Sequence, residues 1–242
     1  MMLRRPTALL TLLVLSTPLA AAEPIPGVGP VGEIQKVRGE FQFTEGPAWD
    51  GQKTLYFSDI PANRIYAYAP GADGKQFSVF QEPSNHANGL MVTADGQLYA
   101  CQMDGRVVKI DPKTKKVTVI AAEYDGKRFN APNDLVIDKQ GGVYFTDPMF
   151  RAPEPLPQGV QAVYYASADG KVTRLVDDVA APNGVILSPD EKTLYVIPTR
   201  QEEMMAYAVE GPGQLGKGRV FCKLKQAEGQ TGRGGDGLTI DT

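Results

Sequence analysis

One phrase recurs along this chain and limits what it can fold into. A polar residue, then Gly or Asp, then apolar residues lead through a short turn to a second, mostly aromatic segment. The first copy is Glu45-Gly46-Pro47-Ala48-Trp49 with Leu55-Tyr56-Phe57-Ser58-Asp59, and the second is Asn88-Gly89-Leu90-Met91-Val92 with Leu98-Tyr99-Ala100-Cys101. The third is Asn133-Asp134-Leu135-Val136-Ile137 with Val143-Tyr144-Phe145-Thr146-Asp147, and the fourth is Asn183-Gly184-Val185-Ile186-Leu187 with Leu194-Tyr195-Val196. A fifth opens at Asp236-Gly237-Leu238-Thr239-Ile240. Their starts lie 43, 45, 50 and 53 residues apart.

Further strand-like segments follow each copy. Third segments are Arg64–Tyr68, Arg106–Ile110, Ala162–Ala166 and Met204–Tyr207. Fourth segments are Gln76–Phe80, Val117–Ile120 and Val172–Val176. All are short, rich in β-branched or aromatic residues, and bounded by Gly, Asp or Pro, which marks strands and turns. The chain carries 26 Gly and 19 Pro, in keeping with many turns. No stretch holds a helical period over ten residues. Four short antiparallel strands per roughly 45 residues is the pattern of a β-propeller blade. A β-sandwich or solenoid is the other all-β reading, but five copies in register favour the propeller.

The expected architecture is therefore a six-bladed β-propeller of four-stranded antiparallel blades, apparently truncated in blade five. Glu33–Val37 reads as the outer strand that would close the last blade. Residues 1–22 have the form of a secretory signal peptide: Arg4 and Arg5, an apolar run from Ala8 to Leu15, and small residues at Ala20–Ala22. The run is short for a transmembrane span, although an uncleaved anchor is the other reading. The domain would then cover residues 23–242, in the periplasm or outside the cell, with no membrane attachment after cleavage.

Composition narrows the chemistry. There is one histidine, His86, and two cysteines, Cys101 and Cys222. Three such residues far apart do not make a zinc site. Only His86 is available for a triad, and no G-x-S-x-G surrounds a serine. The cysteines are expected to be free, partly buried thiols. A net charge of −3 argues against a nucleic-acid footprint. Oxygen ligands are abundant, with 28 Asp and Glu among 242 residues.

In a propeller the first segment of each copy lines the central channel. Its leading residues, Glu45, Asn88, Asn133, Asn183 and Asp236, would then form a ring just before the innermost strands. Four of them precede glycine, so each taken singly also fits a turn. Together they form a hard-cation site of carboxylate and amide oxygens. Irregular spacing favours calcium, with magnesium, manganese and zinc as weaker fits. Asp236 is the candidate acid/base residue, with Asp134, Asp59 and Asp147 in reserve. His86 lies two residues from Asn88, at the expected pocket rim or in a surface loop.

Several motifs resemble those of the SMP-30/gluconolactonase/luciferin-regenerating-enzyme-like family. They are Thr44-Glu45-Gly46-Pro47, Arg128 through Leu135, Tyr144-Phe145-Thr146-Asp147-Pro148, Pro182-Asn183-Gly184 and Gly235-Asp236-Gly237. The resemblance spans about residues 33–242. It implies a six-bladed propeller with a calcium-dependent hydrolytic site, commonly a lactonase. It makes Glu45, Asn183 and Asp236 metal ligands, and Asn133 a fourth ligand or a substrate contact. It places Arg128 and Asn130 in a substrate loop. From its place in the ring, Asn88 is a further candidate contact for substrate hydroxyls. The expected partner is a small-molecule lactone or ester. A phosphotriesterase-type hydrolase and a non-catalytic ligand-binding propeller with structural calcium share the same residues.

Overall fold

The computed structural model describes residues 36–71, 76–226 and 234–240. The signal-peptide segment and residues 33–35 of the closing strand lie outside them. Two compact units are distinguished, residues 1–39 and 40–242. Residues 36–39 of the first contain no strand. All described strands belong to the second, and the described residues hold no helix.

The strands form consecutive antiparallel sheets in simple sequence order. The first sheet contains β1 (Thr44–Trp49), β2 (Leu55–Asp59), β3 (Arg64–Tyr68) and β4 (Phe77–Gln81). The second contains β5 (Ala87–Val92), β6 (Leu98–Gln102), β7 (Arg106–Ile110) and β8 (Val117–Ala121). A small hairpin follows, β9 (Glu123–Tyr124) with β10 (Lys127–Arg128). The third sheet contains β11 (Leu135–Ile137), β12 (Val143–Asp147), β13 (Ala162–Ala166) and β14 (Val172–Val176). The fourth contains β15 (Pro182–Leu187), β16 (Thr193–Pro198) and β17 (Glu203–Gly211), with β18 (Gln214–Leu215) and β19 (Arg219–Lys223) both paired to β17.

Each sheet packs face to face on the next, because its middle strands are apolar on both faces. On β6, Leu98 and Ala100 enter a core shared with the first sheet, whereas Tyr99 and Cys101 enter one shared with the third. On β12, Val143 and Phe145 face the second sheet, while Tyr144 faces the fourth. The period of two along a strand sends alternate residues into alternate cores. Fully burying a side chain such as Leu98 contributes about 1.5–3 kcal/mol. Outer strands are different: Val79, Val117, Val119, Val220 and Phe221 are exposed.

First strands run beside one another, β1 against β5, β5 against β11, and β11 against β15. Two hydrophilic devices shape their surroundings. Asp50 Oδ1 accepts the N–H groups of Gln52, Lys53 and Thr54 at 2.8–2.9 Å, which closes the β1–β2 turn. At the ends of second strands, Asp59 accepts the N–H groups of Gln42 and Phe43, and Asp147 those of Asn130 and Ala131. These two reserve carboxylates therefore hold the chain that leads into each sheet.

Three details differ from the sequence reading. The outer strand β19 and the β9–β10 hairpin carry no clear pattern, since β19 is exposed throughout and the hairpin strands have two residues each. Glu45, Asn88 and Asn183 sit inside first strands, not just before them. The thiols are both free, but Cys101 is fully buried and Cys222 is exposed, so neither is partly buried.

Gly89 lies where β5 touches the third sheet. A Cβ there would sit 2.6 Å from Asp134 Oδ1 and 2.7 Å from the Asn133 carbonyl. Gly89→Ala is expected to destabilise the protein by about 1–3 kcal/mol through overpacking. The chemical denaturation midpoint checks this, and an unchanged midpoint would show that the two strands separate freely.

Candidate functional site

Three of the ring residues, Glu45, Asn88 and Asn183, sit at β-bulges. The β1–β2 register shifts between Glu45 and Ala48, the β5–β6 register between Ala87 and Leu90, and the β15–β16 register between Pro182 and Val185. A bulge bends its strand and re-aims the side chain at that point. Gly46 follows Glu45 with φ of +54°, and its Cβ would lie 2.2 Å from the Asn88 carbonyl. Only glycine fits both conditions. Backbone bonds continue the contact: Gly89 N–H donates to Asn133 O at 2.8 Å, and Gly184 N–H to Asp236 O at 3.0 Å.

Asp134 occupies the place that glycine holds in the other copies. Its carboxylate accepts Leu135 N–H at 2.9 Å and reaches to the fourth sheet, accepting Val185 N–H at 3.2 Å. Segment 234–240, expected to begin a further innermost strand, is not itself a strand. It is attached through Gly235 N–H to Pro198 O at 2.8 Å and through the Thr199 hydroxyl to Gly235 O at 3.1 Å.

One cavity of about 730 Å³ is lined by Glu45, Asn88, Asn133, Asp134, Asn183 and Asp236. All five expected ring residues therefore meet, together with the reserve residue Asp134. Below them the walls are apolar, including Leu90, Met91 and Ile186. Arg128 and Asn130 are not brought to this cavity. Asn130 is fully buried; its Nδ2 donates to Asp147 O and Val160 O, and its Oδ1 accepts Gln158 N–H. The Arg128 guanidinium donates to the carbonyls of Phe129 and Asn130. Both residues thus build their own loop. His86 also lies elsewhere, with Nδ1 2.9 Å from Asp104 Oδ1.

Negative charge is concentrated in the cavity. Burial raises the Glu45 carboxyl above its ordinary range, the Asp236 charge raises it further, and the Gly46 N–H opposes both. Burial pushes Asp134 up to about 7; its two N–H partners lower it, and the charges of Glu45 and Asp236 raise it. Asp147 is also pushed to about 7 by burial, against the pull of the Asn130 and Ala131 N–H groups and Arg128.

Among the described residues, no three His, Cys, Asp or Glu side chains group closely enough to hold a metal ion by themselves. Amide oxygens must complete any ligand set. The Asn183 Nδ2 donates to Thr199 Oγ1 at 2.9 Å, and the Asn88 Nδ2 approaches Met103 Sδ at 3.8 Å. Anchoring the nitrogens leaves the Oδ1 atoms available on side chains that are only 7% exposed. Mutually repelling carboxylates beside the amide oxygens of largely buried asparagines fit a hard divalent cation.

Hydroxyls on second strands were not singled out in the sequence, yet they bind the ring. Ser58 Oγ donates to the Asn88 carbonyl at 2.5 Å and lies 3.1 Å from the Glu45 carbonyl, so its one proton is shared between two first strands. Thr146 Oγ1 donates to Asn183 O at 2.7 Å and accepts Asp134 N–H at 3.1 Å. The paired Ser58-Asp59 and Thr146-Asp147, at matching places in the repeat, were the signal for them.

Residues 43–242 match the model of the SMP-30/Gluconolactonase/LRE-like region, and the chain belongs to that family. It is 32% identical over 232 residues to a gluconolactonase of Zymomonas mobilis subsp. mobilis, covering 86% of this chain and 64% of that protein. Its structure is similar to that of XC5397 from Xanthomonas campestris, a gluconolactonase, with a TM-score of 0.72 and 30% identity over 83% of this chain and 67% of the other. It is also similar to regucalcin, a calcium-binding protein of Agrobacterium tumefaciens, with a TM-score of 0.62 and 25% identity over 81% of this chain and 63% of the other. The chain thus spans just under two thirds of the Zymomonas relative.

The raised Asp134 carboxyl predicts a pH effect in the presence of a chelator. An unfolded Asp releases its proton near pH 3.9, whereas in the fold Asp134 holds it to about 7. Its stabilising contribution is therefore full below about pH 4 and is lost as pH rises toward 7. Asp134→Asn should make the fall in stability across that interval shallower, leaving the shares from Asp147 and Glu45. Thermal melts at a series of pH values measure the slope; an unchanged slope would contradict the assignment.

Proposed function

We propose that the protein is a metal-dependent hydrolase that opens lactone rings, with sugar lactones as its substrate class. One observation carries this reading: carboxylate and amide oxygens from four sheets and segment 234–240 converge in one cavity, in a chain related to a gluconolactonase. We read the four sheets as blades of a six-bladed propeller, with segment 234–240 at the inner edge of a fifth. The apparent signal peptide would place its action in the periplasm or outside the cell.

Glu45, Asn133, Asn183 and Asp236 would hold the cation, and calcium suits their mixed carboxylate and amide oxygens. When bound, it supplies Lewis-acid polarisation of the ester carbonyl. The remaining chemistry belongs to side chains. Asp236 is exposed on the cavity wall, and among the described residues its carboxylate accepts no hydrogen bond. It takes a proton from the attacking water and returns it to the departing alkoxide. Asn88 contributes an amide for substrate hydroxyls, while Asp134 braces the neighbouring first strands. A cavity of about 730 Å³ accommodates a small ring compound.

Hydrolysis of glucono-δ-lactone by the full chain, followed by acid release at constant pH, tests this reading. Chelation is expected to abolish turnover, and added calcium to restore it. Persistent activity in chelator would remove the metal from the mechanism. Asp236→Asn is expected to lower kcat by about 10²-fold or more, the usual scale for losing a general acid/base. Asn88→Ala should act mainly on KM. Equally small losses in both variants would exclude Asp236 from proton transfer.

A further inference from the structure

Asn183 is restrained through both its backbone and its side chain. Its backbone carbonyl accepts the Thr146 hydroxyl at 2.7 Å, from β12 of the preceding sheet. Its side-chain Nδ2 donates to the Thr199 hydroxyl at 2.9 Å. Thr199 follows β16 directly, and its own N–H donates to Ala181 O at 2.9 Å. Each hydroxyl is used in both directions. Thr199 Oγ1 accepts from Asn183 and donates to Gly235 O at 3.1 Å, while Thr146 Oγ1 accepts from Asp134 N–H at 3.1 Å. One donor proton and two lone pairs allow this without competition.

An asparagine amide presents either its oxygen or its nitrogen to a cavity, and the two differ little in shape. Only the oxygen can bind a cation. The Thr199 contact decides between them, because holding Nδ2 leaves Oδ1 free. The same hydroxyl then restrains Gly235, the residue before Asp236. Two ring residues from separate segments are thereby coupled through one side chain.

We propose that Thr199 is a positioning residue for the cation site, fixing the orientation of the Asn183 amide and the placement of Asp236, with Thr146 as the second arm of the clamp. This rests on the metal reading given above. Partners behind metal ligands commonly change affinity by about 10–100-fold when removed. Thr199 suits a test because it is only half-buried, whereas Thr146 is fully buried.

Calorimetric titration of the full chain with calcium measures the effect without relying on turnover. Thr199→Val keeps the shape and removes the hydroxyl, and is expected to weaken calcium binding by about tenfold or more. Thr199→Ser keeps the hydroxyl and is expected to bind as the parent does. Should Thr199→Val be recovered unfolded, Thr199→Ala in the same titration gives the decision. If the parent binds calcium and the hydroxyl-free variant binds it equally tightly, the clamp is overturned while the metal reading stands. If the parent binds no calcium, both fall together.

Discussion

The close approach of neighbouring first strands is the constraint on which the other features depend. Gly46 meets the Asn88 carbonyl, Gly89 meets Asn133 and Asp134, and Gly184 bonds to Asp236. Backbones this close cannot be separated by side chains, so each copy needs glycine or a substitute at that point. The bulges needed for the approach also turn the preceding side chains toward a common space. Packing at the centre and assembly of the site thus have one geometric origin. Asp134 is the informative exception. It spans the gap with a carboxylate bonded to Val185 N–H, where other copies use backbone proximity.

Much of this was legible in the sequence because it repeats. The second and third strands of the second and third sheets bury alternate residues in different cores, and their largely apolar character records burial on both faces. Glu45, Asn88, Asn133, Asn183 and Asp236 could be grouped because each occupies the same place in its copy. What escaped notice lacks that periodicity. Strand β19 is exposed and joins the sheet by backbone pairing with β17 and by the surface contacts of Phe221 with Tyr195 and Lys223 with Glu203. Arg128 and Asn130 stand in a suggestive motif, but the polar atoms of Asn130 are consumed by its own loop. The place of Thr199 is taken by Ile60 in the first copy and Met103 in the second, so no hydroxyl recurs there and only its bonds to Asn183 and Gly235 expose its role.

The electrostatics of the cavity run against folding. Glu45 and Asp134 have raised carboxyl pKa values, caused first by burial and then by neighbouring negative charge. A chain selected only for stability would replace such groups. Functional sites commonly hold unfavourable arrangements that the surrounding scaffold sustains. Here the scaffold consists of the cores between sheets and the serine and threonine hydroxyls that bind one first strand to the next.

The separation of the cores has a consequence of another kind. The three large apolar clusters each join mainly two adjacent sheets, so a change in one is felt chiefly by its immediate neighbours, as in other repeat architectures. Outer strands and turns can therefore drift in one copy without permission from the rest. The cavity is the place where distant copies must agree, since Glu45 and Asp236 share it from opposite ends of the sequence. Such a molecule divides its inheritance in two: a periphery free to diversify copy by copy, and a small centre in which every copy is answerable to the others.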